Sequence, residues 1–143
     1  ACDLVLTSRS ASFIQAFCKI GLVPDSGGTW LLPRLVGMAR AKALAMLGER
    51  LGAEQAQQWG LIHRVVDDAA LRDEALTLAR QLATQPTYGL ALIKRSLNAS
   101  FDNGFDEQLE LERDLQRLAG RSEDYREGVS AFMNKRTPAF KGR

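Results

Sequence analysis

An aspartate in a glycine-rich loop is the feature of this sequence best suited to chemistry. Asp25 lies between Pro24 and the run Ser26-Gly27-Gly28, just before a segment predicted to be helical. Apolar residues flank the loop, and burial among them would favour the protonated carboxyl and suit it to proton transfer near neutral pH. A capping aspartate, whose carboxylate accepts backbone N–H groups at the helix start, fits the same residues. The local sequence leaves both interpretations open.

Two further segments could bind phosphate. The Ser26-Gly27-Gly28 turn matches neither the P-loop nor the dinucleotide fingerprint, so glycines that permit close backbone packing are the simpler explanation. The chain end is basic and has no acid after Glu127, and its cations are Lys135, Arg136, Lys141 and Arg143. A basic patch attracts the phosphates of a nucleotide-bearing cofactor or of nucleic acid, although chain ends are also charged for solubility.

Nucleophilic and metal chemistry find little support. His63 falls on the polar side of an extended segment, which predicts an exposed histidine without a catalytic role. No serine has the G-x-S-x-G context, and neither Cys2 nor Cys18 has a histidine nearby in sequence. Two cysteines and one histidine are also too few for a zinc site, so we expect no metal.

The composition is that of an ordinary globular chain. Its 143 residues are 45% apolar and 25% charged with a net charge of +2, which fits one domain or part of one and excludes a disordered chain. No segment approaches the roughly 20 consecutive apolar residues of a membrane span. The first residues lack a signal peptide and an initiating Met, so we expect that an upstream portion precedes them.

The elements that must position Asp25 occupy the first part of the chain. Short runs of β-branched and aromatic residues predict strands at 4–7 and 11–17, before the loop. Helix formers and terminal glycines then predict the remaining elements. These are a single turn or kinked helix over 30–36 with Pro33, helices over 39–47 and 53–59, and an extended segment over 61–66.

The rest of the chain is predicted to be helical. Asp67 and Asp68 are placed to cap a helix whose apolar stripe begins at Leu71. Later helices are expected from Thr87, over 105–118, and from Ser122 to Lys135. The helix over 105–118 has apolar residues on more than one face, which calls for cover from a second subunit.

Strands followed by helices indicate an α/β fold. We divide it into residues 1–66, with the loop and its flanking helices, and a helical region over 67–143.

Three spaced motifs then resemble those of the enoyl-CoA hydratase/isomerase (crotonase) superfamily. They are GLVPDSGGTWLLPRLVG at 21–37, AEQA at 53–56 with WGLI at 59–62, and YREGVSAFMNKR at 125–136. The resemblance covers essentially the whole chain and is to the C-terminal half of a family member.

The resemblance implies the end of a ββα spiral followed by a helical region that forms trimers or dimers of trimers. It also implies an acyl-CoA substrate and a thioester oxyanion hole of two backbone N–H groups, both before Ala1. Hydratases of the family hold the attacking water with two glutamates, of which the first would also lie upstream and the second matches Phe17. Isomerases can instead carry an acid at the position of Asp25, which moves a proton between carbons of the enolate.

The remaining site residues follow from the same resemblance. A lysine that matches Lys135 meets the phosphates of CoA in the family, often from a neighbouring subunit. The residues expected to shape an apolar acyl pocket are Phe17, Val23, Pro24 and Trp30.

These expectations favour a cytoplasmic CoA-thioester isomerase that needs no metal or redox cofactor and binds neither nucleic acid nor membranes. Residues 23–30 are most similar to the branch that rearranges a ring epoxide toward an oxepin in phenylacetate breakdown. The alternative within the family is an enoyl-CoA hydratase or a Δ3,Δ2-enoyl-CoA isomerase of fatty acid oxidation. A non-catalytic assembly fragment stays open as well, because the oxyanion donors are expected upstream.

Overall fold

The computed structural model describes residues 2–143, which divide into two compact units. One comprises the described residues through Leu76, and the other is Thr77–Arg143. Short strands and helices alternate in the first unit, whereas helices and an extended tail build the second. The loop with Asp25 belongs to the first unit and the basic chain end to the second.

Four strands of three residues each form two small sheets in the first unit. β1 (Leu6–Ser8) pairs in parallel with β4 (Arg64–Val66), and β2 (Ser12–Ile14) pairs antiparallel with β3 (Arg50–Gly52). The sequence does not predict β3, because three residues are too few for an alternating pattern. The predicted strand over 11–17 ends where its short partner ends, so Phe17 lies in a 3₁₀ helix (Ala16–Ile20) instead.

Three α-helices complete the first unit: α1 (Gly28–Val36), α2 (Met38–Leu47) and α3 (Ala53–Gln58). α1 continues through Pro33, whose missing N–H removes only one bond of the helix. α2 ends as predicted at Gly48, which has a left-handed φ of 61°. α1 and α2 contact each other, and their buried side chains join a core formed by Leu32, Val36, Ala41, Leu44, Leu51, Ala56 and Ile62. The loop before α1 is thus anchored to a packed pair of helices.

The predicted capping by Asp67 and Asp68 is wrong. Asp67 accepts the Nε–H of Arg9 at 3.1 Å, and Asp68 accepts the backbone N–H of Ser10 at 3.0 Å. The parallel pairing of β1 with β4 is the reason, because it brings the turn after β1 beside the residues that follow β4. Neither carboxylate is therefore left for the helix start, where Asp67 is the N-cap of a 3₁₀ turn without a side-chain bond.

The second unit is helical, as predicted. α4 (Leu71–Ala83) runs from the first unit into the second, and α5 (Thr87–Ala99), α6 (Phe105–Ala119) and α7 (Glu123–Met133) follow. Ser122 caps α7 as predicted, because its hydroxyl accepts the N–H of Tyr125 at 2.9 Å. α5 and α6 pack against each other, and Gln108 donates to the Ser96 carbonyl at 3.2 Å. None of the helices in the described chain combines the length and apolar character that crossing a bilayer requires.

Candidate functional site

The segment that carries Asp25 is held in a defined turn at the start of α1. The N–H of Gly28 donates to the carbonyl of Asp25 at 2.8 Å. Between them, Ser26 and Gly27 both have left-handed backbones, with φ of 51° and 80°. A non-glycine residue at positive φ is uncommon, and two such residues in succession turn the chain sharply. The backbone of Asp25 is therefore fixed relative to α1.

The carboxylate of Asp25 is exposed and makes no hydrogen bond or ion pair with the residues that the structure describes. The N-cap of α1 is Gly27, and no side chain caps the helix. The capping interpretation of Asp25 is therefore wrong. The expected burial is also not provided by this chain, because the neighbouring Leu22 and Val23 are themselves 59% and 77% exposed. Apolar residues that are close in sequence can bury the Asp25 carboxylate only when another part of the protein covers the surface that they form.

Of the four residues predicted to shape an acyl pocket, Pro24 is the one that lines a described cavity close to the Asp25 loop. Pro24 is half-buried and lines a cavity of about 190 Å³ between α1 and α2, which includes neither Asp25 nor the other three residues. Phe17 is half-buried, and its carbonyl accepts the N–H of Leu22 at 3.0 Å. Trp30 is 39% exposed. Val23, two residues before Asp25, is 77% exposed.

An arginine that sequence reasoning missed holds Trp30. The guanidinium of Arg34 lies over the Trp30 ring, 3.9 Å from its centre, and its Nη1 donates to the Trp30 carbonyl at 3.0 Å. The spacing of four residues on one helix face is the signal that could have found this pair. A similar but longer contact joins Arg40 to the Trp59 ring, at 5.0 Å.

Lys135 occupies a backbone position that usually belongs to glycine. It follows the C-cap of α7, Asn134, with φ of 51°. Its N–H donates to the carbonyl of Phe132 at 3.2 Å, and the N–H of Arg136 donates to the carbonyl of Ala131 at 3.0 Å. These two bonds form a Schellman motif. A side chain in this conformation costs about 1 kcal/mol. The Lys135 side chain is exposed and has no partner among residues 2–143.

The adjacent Arg136 is fully engaged. Its Nη1 and Nη2 donate to the two carboxylate oxygens of Glu127 at 2.5 and 2.8 Å. Glu127 also accepts the backbone N–H of Ala139 at 2.8 Å. Arg136 above all, and then this backbone bond, lower the pKa of Glu127 to about 2. The basic end is thus less free than its sequence indicates, because Arg136 pairs with Glu127 and Arg143 with Glu123.

A buried aspartate holds the rest of the chain end. Asp124 is 3% exposed, and its two carboxylate oxygens accept the N–H groups of Lys141 and Gly142 at 2.7 and 2.8 Å. Its own N–H donates to the carbonyl of Arg143 at 3.0 Å. The sequence shows Asp124 only as an acid at the start of a helix, because no pattern marks partners 17 and 18 residues away.

His63 is exposed, as predicted, although its backbone N–H donates to Val5 at 3.0 Å. Within residues 2–143, no three His, Cys, Asp or Glu side chains cluster in a way that could hold a metal ion.

Comparison with known proteins gives a consistent result. The family profile described as enoyl-CoA hydratase/isomerase matches residues 1–143. The 1,2-epoxyphenylacetyl-CoA isomerase of Escherichia coli is 62% identical over 141 residues, which cover 99% of this chain and 54% of the relative. A probable enoyl-CoA hydratase of Rhodobacter capsulatus is 47% identical over 143 residues, covering 100% of this chain and 56% of the relative.

Solved structures agree on the fold. The enoyl-CoA hydratase subunit I of Geobacillus kaustophilus superposes with a TM-score of 0.96 at 38% identity, over 99% of this chain and 55% of that one. The predicted family and α/β fold are therefore confirmed. The chain spans about half the length of the curated relatives it matches.

Proposed function

The chain belongs to the enoyl-CoA hydratase/isomerase family, and from that premise we propose that the protein carrying it is a CoA-thioester isomerase. The proposed substrate is 1,2-epoxyphenylacetyl-CoA, which the high identity with the E. coli isomerase supports. The observation that carries the proposal is the carboxylate of Asp25, which has no partner among the described residues and stands on a fixed turn.

Asp25 acts in this proposal as both acid and base. An isomerisation adds and removes no atoms, so a proton taken from one atom of the substrate must return to another. The carboxylate of Asp25 takes a proton from a carbon next to the thioester carbonyl and returns it to a different carbon of the enolate. The same exchange assists opening of the epoxide and rearrangement to the seven-membered oxepin. No helix N–H competes for this carboxylate, because Gly27 is the N-cap of α1.

The charge that develops on the thioester oxygen requires two backbone N–H donors. We place them in the part of the family chain that lies outside the matched half. The surface that covers Asp25 is assigned to the same part. The apolar surface of Phe17, Val23, Pro24 and Trp30 would then become the wall of an acyl pocket, with Trp30 held by Arg34. An aromatic wall suits a substrate that carries a six-membered ring.

Lys135 is proposed to bind the phosphates of CoA. Its ammonium is exposed, lacks a partner among the described residues and stands at the end of α7 on a strained backbone. Backbone strain that persists at a residue whose side chain has no local contact supports a use for that side chain. No metal or redox cofactor is needed in this scheme, and CoA is part of the substrate.

The proposed protein assembles as a trimer or a dimer of trimers in the cytoplasm. The second unit has large apolar side chains with high exposure, among them Phe105 at 78%, Phe132 at 82% and Met133 at 74%. Apolar groups in such number indicate an interface with another subunit. Cys2 and Cys18 are free thiols, which fits a reducing compartment.

A chimera tests the proposed activity. The part of the E. coli isomerase that this chain does not cover is joined to the chain, and the product is assayed with 1,2-epoxyphenylacetyl-CoA and with crotonyl-CoA. We expect isomerisation of the epoxide, little hydration of crotonyl-CoA, and no turnover by the 143-residue chain alone. Hydration of crotonyl-CoA at a rate comparable to the isomerisation would overturn the proposal. It would support an enoyl-CoA hydratase, the second candidate, which the Rhodobacter capsulatus relative favours.

A further inference from the structure

The four cations of the chain end fall into two classes. Arg136 and Arg143 are paired with Glu127 and Glu123 of α7. The side chains of Lys135 and Lys141 have no hydrogen bond or ion pair with any described residue. Lys141 nevertheless faces acids, because it lines a cavity together with Glu123, Asp124 and Glu127. Lys135 is thus the cation of this segment best placed to receive an external anion.

The backbone around Lys135 is fixed on both sides. The N–H of Lys135 donates to the carbonyl of Phe132, and the N–H of the next residue, Arg136, donates to the carbonyl of Ala131. The side chain of Arg136 then reaches back nine residues to the two oxygens of Glu127. Glu127 also holds Ala139, three residues further along the chain. One carboxylate on α7 therefore secures the chain immediately after Lys135 at two points.

We propose that Glu127 is a positioning residue for phosphate recognition, which acts by holding Arg136 and Ala139 so that the backbone of the adjacent Lys135 stays in one place and its ammonium samples a smaller region. This inference rests on the proposed binding of acyl-CoA by Lys135. It adds a residue that does not itself touch the ligand.

The physical reason is preorganisation. A lysine on a mobile chain end loses conformational freedom when it binds, and that loss weakens the complex. The fork between Glu127 and Arg136 removes part of this freedom before the ligand arrives. The fork also neutralises Glu127, so its negative charge does not repel the phosphate from Lys135. The same pairing lowers the pKa of Glu127 to about 2, so the carboxylate stays ionised well below neutral pH.

The test measures binding of coenzyme A by calorimetry with the protein that carries this chain. Pantetheine, which has the thiol arm but no phosphate, is the comparison ligand. We expect Glu127→Gln to weaken coenzyme A about tenfold and to leave pantetheine unchanged, because only phosphate contacts depend on Lys135. Arg136→Lys keeps the charge but loses the paired geometry with Glu127, and we expect it to weaken coenzyme A binding as well. Glu123→Gln is the matched control on the same helix, and we expect it to change neither ligand.

The double variant Lys135→Gly with Glu127→Gln separates positioning from general damage. Lys135→Gly alone should weaken coenzyme A and raise the melting temperature by a few degrees, because glycine adopts the left-handed backbone without strain. In that background Glu127→Gln should have no further effect on coenzyme A. If Glu127→Gln weakens binding equally with and without Lys135, or weakens pantetheine as well, the inference is overturned.

The same measurements distinguish the two proposals. A protein that binds coenzyme A through Lys135 and Glu127 but isomerises no thioester contradicts the proposed function and leaves this inference standing. Active isomerase in which Lys135→Gly does not change coenzyme A binding contradicts the inference and leaves the activity standing.

Discussion

Asp25 and Asp124 are the same residue type in opposite surroundings. Asp25 is exposed, and its carboxylate has no partner among the described residues. Asp124 is 3% exposed, and both of its oxygens accept backbone N–H groups of the chain end. A carboxylate that is buried and bound by backbone N–H donors is out of reach of a substrate and serves the fold. A carboxylate without partners is available for chemistry but contributes little to the fold.

The backbone shows the same division of roles. The turn at Asp25 uses two left-handed residues, Ser26 and Gly27, to hold an unpaired side chain in place. The chain end at Asp124 has no regular secondary structure, and side-chain carboxylates of α7 fix it instead. Under the proposed function, catalysis and stability depend on different acids, and substitutions should separate them.

The largest expected effect is on turnover, from Asp25→Asn in the whole protein. The amide keeps the shape of the side chain but cannot accept the substrate proton, so we expect a roughly thousandfold loss of isomerase turnover. The free energy of unfolding should change by less than about 0.5 kcal/mol, because no bond within the described chain is lost. Steady-state kinetics and urea unfolding measure the two quantities.

Asp102→Asn is the matched control, because Asp102 is also exposed and its carboxylate has no partner in residues 2–143. It should change neither turnover nor stability. Retained turnover in Asp25→Asn together with a loss of stability would show that Asp25 is a structural acid, and the contrast with Asp124 would disappear.

The second largest expected effect is on stability and not on turnover, and it comes from Asp124→Asn. The amide can accept only through its one oxygen, and its NH₂ group faces an N–H donor, so one backbone N–H is left unpaired. We expect a loss of about 1–3 kcal/mol in the free energy of unfolding. Hydrogen exchange at Lys141 and Gly142 should accelerate, because their N–H groups are the ones released. Unchanged exchange at both residues would contradict the assigned role of Asp124.

Sequence reasoning was most successful where the signal is local. The helix from Leu71, the Ser122 cap and the Gly48 helix end are each set by residues within one or two turns, and the structure confirms them. The three-motif resemblance also predicted the family correctly. A loop centred on Asp25 could be predicted because Pro24 and the glycines disfavour both strand and helix.

The predictions that were wrong concern residues whose partners lie far away in sequence. Asp67 and Asp68 contact Arg9 and Ser10, which lie far away in sequence and come close only through the pairing of β1 with β4. The partners of Asp124 are backbone groups, which carry no residue signature. Burial of Asp25 was expected from its neighbours in sequence, but burial depends on surfaces that the local sequence does not describe. Long-range pairing is therefore the information that the sequence alone lacks.

Glu127 provides an intermediate case that sharpens the comparison, because it is bound like Asp124 but lies nearer the surface. Its pKa is lowered to about 2, first by Arg136 and then by the N–H of Ala139. A lowered pKa means that its stabilisation is complete above the ordinary value of 4.5 and is lost as the pH falls through about 2. The bonds of Glu127 to Arg136 and to the Ala139 N–H should thus stay in place at pH 4 and be lost near pH 2.

NMR titration of the Ala139 amide measures this release. The other charged groups around Glu127 in the same cavity are Glu123, Asp124, Arg126 and Lys141. Glu127→Gln is therefore the reference protein. The chemical shift of its Ala139 amide should not show the change that Glu127 causes as the pH falls to about 2. An identical titration in both proteins would contradict the assigned cause.

The smallest expected effect concerns the region of Asp25, where Arg34 holds Trp30. Arg34→Met keeps an apolar stem of similar length but removes the cation over the ring and the bond to the Trp30 carbonyl. We expect a loss of about 0.5–1 kcal/mol in unfolding free energy and freer motion of the Trp30 ring. Fluorescence anisotropy in a Trp59→Phe background measures that motion. Arg40→Met in the same background is the matched control and should leave the motion of Trp30 unchanged, since Arg40 lies over the ring at position 59 and not over Trp30. Equal ring motion before and after Arg34→Met would show that α1 alone orients Trp30, and the Asp25 region would then owe its order to the backbone and not to side chains.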